Sequence, residues 1–570
     1  MKLRLNNYLL VLLVICCAAT AQSRTYVITA DSILSHIRVL AADSLEGREV
    51  GEDGELKAAH YIASVFDRAG LEPGGDGNTF LQEFEFTKRV EIGPSTHLNI
   101  DGVELTLHEE FAPLRQSAST EFDFSRVISA GYGITLKDGS HDDYKGLDVD
   151  GKAVIIKRFA PETGDSGEVR FDRHTAITEK VARAMEAGAA GVFLYTPEGH
   201  DDTLIFRGGP VHVTPKDIPV IWLRRAGLER LGLSLDSVEI NSAAGRTELL
   251  PIRDTAFNVA GSVSSDNDTL VIIGAHYDHL GWGEMGSFYR DGPPMIHPGA
   301  DDNASGVAAL LELARWLVSE RNRLKYSYSL VAFTGEEAGL LGSSHFARSL
   351  DVDSSLVRMM INMDMIGRLS EQENGLAVFG TGTCEEFKTY FDSVEYPRLK
   401  ITTKQSGIGP SDHTPFYSLG IPVVHLFTGA HEDYHTPRDV IEKIDADGIV
   451  MVTDFLGATL LHFDRLDSKL TFQRTRSTRP GSGRSSFTVT LGIMPDHVAE
   501  VRGLRVGAVS VGGSAEKAGL LKGDVIIKMG PRTIDDIYTY MNALGKYRKG
   551  DTTTVVVERG ADTLSVLVEF

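Results

Sequence analysis

Cysteine is nearly missing: the 570 residues hold three, and two of these, Cys16 and Cys17, fall within the first 21 residues. Cys384 then stands alone, which excludes a disulfide framework and leaves cores and metal ions to supply stability. Basic charge is also short. The formal net charge of −22 becomes −24 once Lys2 and Arg4 go with the leading peptide, a balance that argues against nucleic acid as a partner. Long apolar runs are absent after residue 21; none approaches the eighteen or so residues a stable membrane span needs. The 42% hydrophobic and 24% charged content is that of an ordinary folded chain, not a disordered one.

What is present begins with "MKLRLNNYLLVLLVICCAATA" at 1–21. Two basic residues, an apolar run from Tyr8 to Cys17 and the small-residue close Ala19-Thr20-Ala21 read as a secretory signal peptide. A lipoprotein reading through Cys16 is disfavoured by Ile15, where a small residue is expected. The mature chain is therefore expected outside the cytoplasm, periplasmic or secreted. Its length predicts about three or four domains.

Composition divides the rest. Residues 22–120 and 249–465 form one expected unit, 121–248 an insert, 466–485 a linker and 486–570 a last domain. In the first unit Leu56, Ala59, Ile62, Ala63 and Phe66 recur at helical spacing and Gly70 supplies a stop. Between 249 and 465 strand-like runs, "TLVIIGAH", "YSLVAFTG", "VRMMINMD" and "IPVVHLFTG", alternate with helical ones. That alternation predicts an α/β fold, a mostly parallel sheet with helices on both faces. One helix is expected over 303–320, burying Val307, Leu310, Leu311, Ala314 and Val318. The insert has short β runs and one helix with no nucleophile, metal cluster or phosphate loop. The stretch "TRSTRPGSGRSS" at 475–486 reads as flexible.

In an open parallel sheet, sites gather at the carboxyl ends of strands. Four strands run into charged residues there: "VIIGAHYDHLG" into His276 and Asp278, "LVAFTGEEAGLLGS" into Glu336 and Glu337, "MINMDMIGR" into Asp364, and "IPVVHLFTGAHEDYHTPRD" toward His435. Asp301 and Asp302 arrive in "HPGADDNASG", before the helix just described. Two histidines with several carboxylates suit zinc, and the number of donors exceeds the need of one ion. Two ions sharing a carboxylate fit better, an arrangement that clamps attacking and polarised oxygens during hydrolysis.

The strings "GAHYDHLG", "GADDNASG", "FTGEEAGLLGS", "NMDMIGR" and "YHTPRD", in that order, resemble the dizinc exopeptidases typified by bacterial leucyl aminopeptidases and, more distantly, glutamate carboxypeptidase. The resemblance implies two zinc ions per chain, with Asp301 bridging them, His276 and Asp364 completing one site, and Glu337 and His435 the other. It further implies that Asp278 orients His276 and that Glu336 is the general base. "SDHTPF" at 411–416 resembles a string that lines the family's substrate cleft, so Asp412 and His413 are substrate-binding candidates. The insert, from "DYKGLDVDGKAVIIKR" to "DIPVIWLRRAGLERL", resembles the protease-associated domain of such enzymes, thought to shape access to the site. The tail, with "GLRVGAVSVGGSAEKAGLLKGDVIIKMG", resembles a PDZ domain, in which "TLGI" at 490–493 would cradle a peptide's terminal carboxylate.

Several strings mislead. "HEDYH" at 431–435 matches the H-E-x-x-H of zincin metalloproteases, yet Gly429 and Pro437 flank it and argue for a loop, not the helix that motif requires. His435 is then a ligand and Glu432 not the base. The consecutive Ser411, Asp412 and His413 cannot form a serine-protease relay. "VFGTGTCEE" is an incomplete glycine-rich loop, Cys384 has no evident histidine partner and reads as inert, and Asn267 and Asn303 head chance glycosylation strings, the second inside the metal motif.

The expectation is an exported two-zinc aminopeptidase acting on peptides. The same core would also serve a carboxypeptidase or dipeptidase, because the groups that hold a free amine or carboxylate cannot be placed from sequence. A decayed binding relative is disfavoured by the complete ligand set, and a single-zinc glutaminyl cyclase by the Asp-Asp and Glu-Glu pairs.

Overall fold

The computed structural model describes residues 26–570, except 137–138, 162–170, 172–175, 201, 203–215, 236–237, 290–291, 351–353, 476–488, 496–502, 510–511, 535–536, 545, 548–549 and 561. The expected signal peptide and nearly all of the flexible stretch at 475–486 lie outside the described residues.

The peptidase-like unit is built on a nine-stranded sheet. In chain order its strands are β1 (Glu72–Pro73), β2 (Leu81–Ile92), β3 (Leu249–Val263), β4 (Leu270–His276), β5 (Ser327–Phe333), β6 (Val357–Met363), β7 (Gly375–Phe379), β8 (Lys400–Lys404) and β9 (Val423–Phe427). They lie in the order β1-β3-β5-β4-β6-β9-β7-β8, with β2 also on β3. The four central strands β5, β4, β6 and β9 are mutually parallel. Antiparallel pairing appears toward the flanks, at β3 with β1, β2 and β5 and at β7 with β9. The central strands are apolar without alternation; β6 is buried along its whole length. Strands covered on both faces need that pattern.

Helices supply the cover. Helix α1 (Ala30–Leu40) starts at Thr29, whose side chain takes the Ser32 amide in a reciprocal cap. Helix α2 (Asp53–Ala69) buries Ala58, Ala59, Ile62, Val65 and Phe66 and stops at Gly70, which takes the left-handed φ of 86° that glycine reaches without a Cβ clash. Leu56 and Ala63, expected on that face, are half-buried. Helix α3 (Gly306–Glu320) is shorter than expected because Ala300–Ser305 forms an irregular turn in front of it. Leu317, not Val318, completes its buried face. The last helix of the unit, α4 (Ala446–Arg465), is long and apolar enough by composition to cross a membrane. Its apolar residues Ile449, Val452, Phe455, Leu456, Leu460 and Phe463 instead close the core over α3 and the sheet.

The insert has a five-stranded sheet (Phe111–Pro113, Val127–Ser129, Ala153–Lys157, Gly191–Tyr195 and Val220–Leu223) and a four-stranded one (His97–Ile100, Val103–Leu105, Thr120–Phe124 and Ala243–Thr247). Strands from 97 to 113, placed by composition in the first unit, thus pair with strands of the insert. The C-terminal domain is a six-stranded sheet with helices Ser514–Lys517 and Ile537–Leu544 around Leu491, Val506, Ile526, Val555 and Val557. Residues 466–475 do not behave as a linker. Gln473 donates its amide to Thr383 at 2.7 Å, and Thr475 donates its own to the Tyr417 hydroxyl at 2.9 Å.

Candidate metal centre

Strand register brings the functional ends level. His276, the last residue of β4, sits beside Phe333 of β5, and Gly274 sits beside Asn362 of β6. Asp364 therefore emerges next to His276, and the turn carrying Glu336 and Glu337 opens on its other side. The His276 Nε2 lies 3.2 Å from Asp364 Oδ1 and 3.4 Å from Asp302 Oδ1. On the second cluster, His435 Nε2 lies 3.3 Å from Asp302 Oδ2 and 3.2 Å from Glu337 Oε2. The two oxygens of one carboxylate, that of Asp302, are divided between two histidines.

This corrects the bridging assignment to Asp301. The Asp301 carboxylate is turned into the protein, where Oδ1 accepts from the Gly367 amide at 2.6 Å and the Ser305 hydroxyl at 2.9 Å, and Oδ2 meets His431 Nε2 at 3.1 Å. Asp439 holds the pair in this orientation by accepting the amides of both Asp301 and Asp302. Asn303 is buried and ties the same turn to the end of β6 through Met363 and Met365, so the glycosylation string there is a coincidence.

Asp278 is fully buried, as an orienting group should be, and its carboxylate serves a second neighbour besides His276. It accepts the amides of Glu336 at 3.1 Å and Glu337 at 3.3 Å, fixing the turn after β5. The His276 Nδ1 lies nearer the Asp278 backbone carbonyl, 3.2 Å, than its carboxylate, 3.6 Å. Asp364 keeps Oδ1 for the site because Oδ2 accepts from the Ser411 hydroxyl at 2.8 Å.

Asp412 and His413, expected to line the cleft, have 0% and 1% of their surface exposed. His413 stacks on His425 with ring centroids 4.6 Å apart, and burial lifts the Asp412 carboxyl to about 7. Within "SDHTPF" Ser411 donates to Asp364, and Asp412 is close enough to feel the charges of His276 and Asp364.

The 428–437 segment is a loop, as its glycine and proline demand. His431 points to Asp301 and His435 to Asp302, so the two histidines of "HEDYH" do not converge, and Glu432 is exposed. His435 has a φ of +53°, a left-handed conformation that costs a non-glycine residue of order 1 kcal/mol. Its surroundings enforce it: Nδ1 meets the Gly286 carbonyl at 3.0 Å, and Tyr434 stacks on the ring at 3.8 Å. Arg368, itself buried, and Lys443 anchor the loop through Asp433 and Asp439.

Three residues that sequence reasoning passed over belong to this site. Arg48 is fully buried and donates to the carbonyls of Tyr277, Leu40, Pro298 and Gly299, fastening the end of β4 to the loop that delivers Asp302. His279 contacts Glu337. Tyr434 stacks on His435 and has its phenol pushed well up by burial and then by Asp302, Glu337, Glu336 and Asp364. The signal available for two of them was adjacency: "HYDH" holds a second histidine and "YH" an aromatic beside a ligand.

The donor set fits divalent metal. Burial pushes the Asp302 carboxyl up to about 7, with Glu337 adding to it, and burial with its carboxylate neighbours pushes Glu336 well up. Crowded carboxylates in a dry site need positive charge among them; His276, Asp302 and Asp364 have donor atoms close enough for one ion to touch all three, and so do His279, Asp302 and Glu337.

A parallel-sheet edge that gathers this histidine and carboxylate cluster is the arrangement of a metal-dependent hydrolase. Residues 258–460 match Peptidase family M28, 125–231 the PA domain and 489–570 the PDZ domain. The chain is thus a peptide hydrolase combining an M28 peptidase unit with a PA and a C-terminal PDZ domain. It is 27% identical over 444 residues to Aminopeptidase YwaD of Bacillus subtilis (75% of this chain, 84% of the relative). To Leucine aminopeptidase 2 of Trichophyton rubrum it is 24% identical over 465 residues (74% and 84%). Among solved structures, an aminopeptidase from Aneurinibacillus sp. strain AM-1 aligns at TM-score 0.44 and 23% identity (78% of this chain, 96% of that one). Glutaminyl cyclase of Porphyromonas gingivalis aligns at 0.38 and 12% (77% and 99%).

Proposed function

We propose that the protein is an exported aminopeptidase that uses two zinc ions to remove amino-terminal residues from peptides. The observation that carries the two-metal reading is the Asp302 carboxylate, divided between His276 and His435. Asp302, His276 and Asp364 would hold one ion, and Asp302, Glu337 and His435 the other. Bound zinc supplies Lewis acidity, polarising a carbonyl oxygen and making water acidic enough to attack at neutral pH.

Glu336 is the proton carrier. Its backbone is fixed by Asp278 and its side chain is only half-buried beside the cluster, so as a carboxylate it can accept a proton from the attacking water and pass it to the leaving amine. The curated relatives named above, both aminopeptidases, support cleavage at the amino end. An amino-blocked peptide should resist hydrolysis while its carboxyl-blocked counterpart is cleaved. The opposite order would make the enzyme a carboxypeptidase.

The C-terminal domain is proposed to recruit or regulate through a peptide's carboxyl end. The "TLGI" segment leads into the strand Ile493–Pro495, which pairs antiparallel with Leu504–Val509, and Gly492 takes a left-handed φ of +74° suited to a carboxylate-cradling turn. Every metal-site residue lies before 466 and residues 466–475 dock on the peptidase unit, so a chain ending after Thr475 should keep its turnover of short chromogenic amides. Loss of turnover with zinc content intact would mean that the tail helps to build the site.

A further inference from the structure

His279 has no role in the scheme above, yet it is 1% exposed and stands against the second metal cluster. Its Nδ1 lies 2.8 Å from Glu337 Oε1, while the other oxygen of that carboxylate, Oε2, lies 3.2 Å from His435 Nε2. Asp302 Oδ2 is farther from Nδ1, at 3.8 Å. We propose that His279 is a positioning residue for Glu337, donating its Nδ1 hydrogen to Oε1 so that Oε2 is the atom presented to the metal beside His435.

The ring cannot turn away from this contact. Its backbone amide is held by the Arg48 carbonyl at 3.1 Å, and Gly299, at a left-handed φ of +55°, lies against it so closely that a Cβ there would stand 2.6 Å from His279 Cδ2. Glycine at 299 therefore makes room for the imidazole and at the same time bends the chain toward Asp302. Among the described residues Nε2 has no hydrogen-bond partner. A tautomer with its hydrogen on Nε2 would leave that N–H buried and unmatched and would set the bare Nδ1 lone pair against a carboxylate, so the geometry selects the Nδ1–H form. A carboxylate with one oxygen fixed by a donor has one oxygen left to offer, and it arrives pre-oriented.

This inference rests on the two-zinc reading, and zinc content of the parent protein tests that reading separately. His279→Asn places an amide N–H near the position of Nδ1 and should preserve zinc retention against a competing chelator, with near-parental kcat/KM. His279→Leu keeps bulk without a donor and should weaken retention of one of the two zincs by about 10- to 100-fold, the usual cost of removing such a partner, while leaving secondary structure and the other zinc in place. If Asn and Leu lose zinc equally, His279 acts as a ligand or as packing and the positioning role is wrong. Unchanged retention in both would overturn it as well. If Leu fails to fold, His279→Ala takes its place as the donor-free variant on the same terms, and a loss of zinc in the Asn variant refutes the role in either case.

Discussion

Glu336→Gln should leave a folded, zinc-loaded protein whose kcat falls by about a hundred- to ten-thousand-fold, the typical cost of removing a general base. Glutamine keeps the length and the polar contacts of the side chain but cannot accept the proton from water. The turn that presents it should persist, because Asp278 holds that turn by backbone amides, and amides are untouched by the substitution. Glu432→Gln serves as the control. That side chain is exposed on the loop that delivers His435, so its loss should change turnover by less than about threefold, as expected of a surface position with no catalytic contact. Zinc content must be measured on both variants first, since a lost metal would imitate a lost base. Turnover surviving in Glu336→Gln and vanishing in Glu432→Gln would restore "HEDYH" as the working motif.

The contrast between those two glutamates shows what the sequence could reveal. Strand ends were legible because an apolar run that stops at a charged residue is a one-dimensional signal, and the parallel register then brings those ends level in space. His276, Glu336, Glu337, Asp364 and His435 all follow from that rule, and the structure gathers them. The choice between Asp301 and Asp302 was not legible. It depends on which way an irregular turn rolls, and that is set by Asp439 and Arg368, more than sixty residues downstream. His279 and Arg48 were hidden for a related reason: what they do is decided by backbone carbonyls and a carboxylate brought from distant segments, and neither spacing nor composition records such contacts. Asp412 and His413 are as enclosed as His276 and Asp302, so burial does not separate a cleft residue from a packed one here.

Exchanging the two adjacent aspartates should therefore give opposite results. Asp302→Asn removes the one carboxylate divided between His276 and His435, and elemental analysis should fall from about two zincs per chain to well below one, with activity lost in proportion. The metal-free variant should unfold no earlier than the metal-free parent. Burial and the Glu337 charge already push the Asp302 carboxyl up to about 7, so without metal its ionised form is a burden to the fold, and removing it relieves repulsion. Asp301→Asn should do the reverse. Zinc should be retained, because that side chain faces the Gly367 amide, Ser305 and His431 instead of the cluster. Stability should drop, since depriving a buried partner of its counter-charge costs about 3–5 kcal/mol, a large share of the margin by which domains of this size stay folded. The measurement is thermal unfolding with and without chelator, alongside zinc content. Zinc loss on changing Asp301 but not Asp302 would return the bridge to Asp301 and mean that the turn at 300–305 rolls over when metal binds.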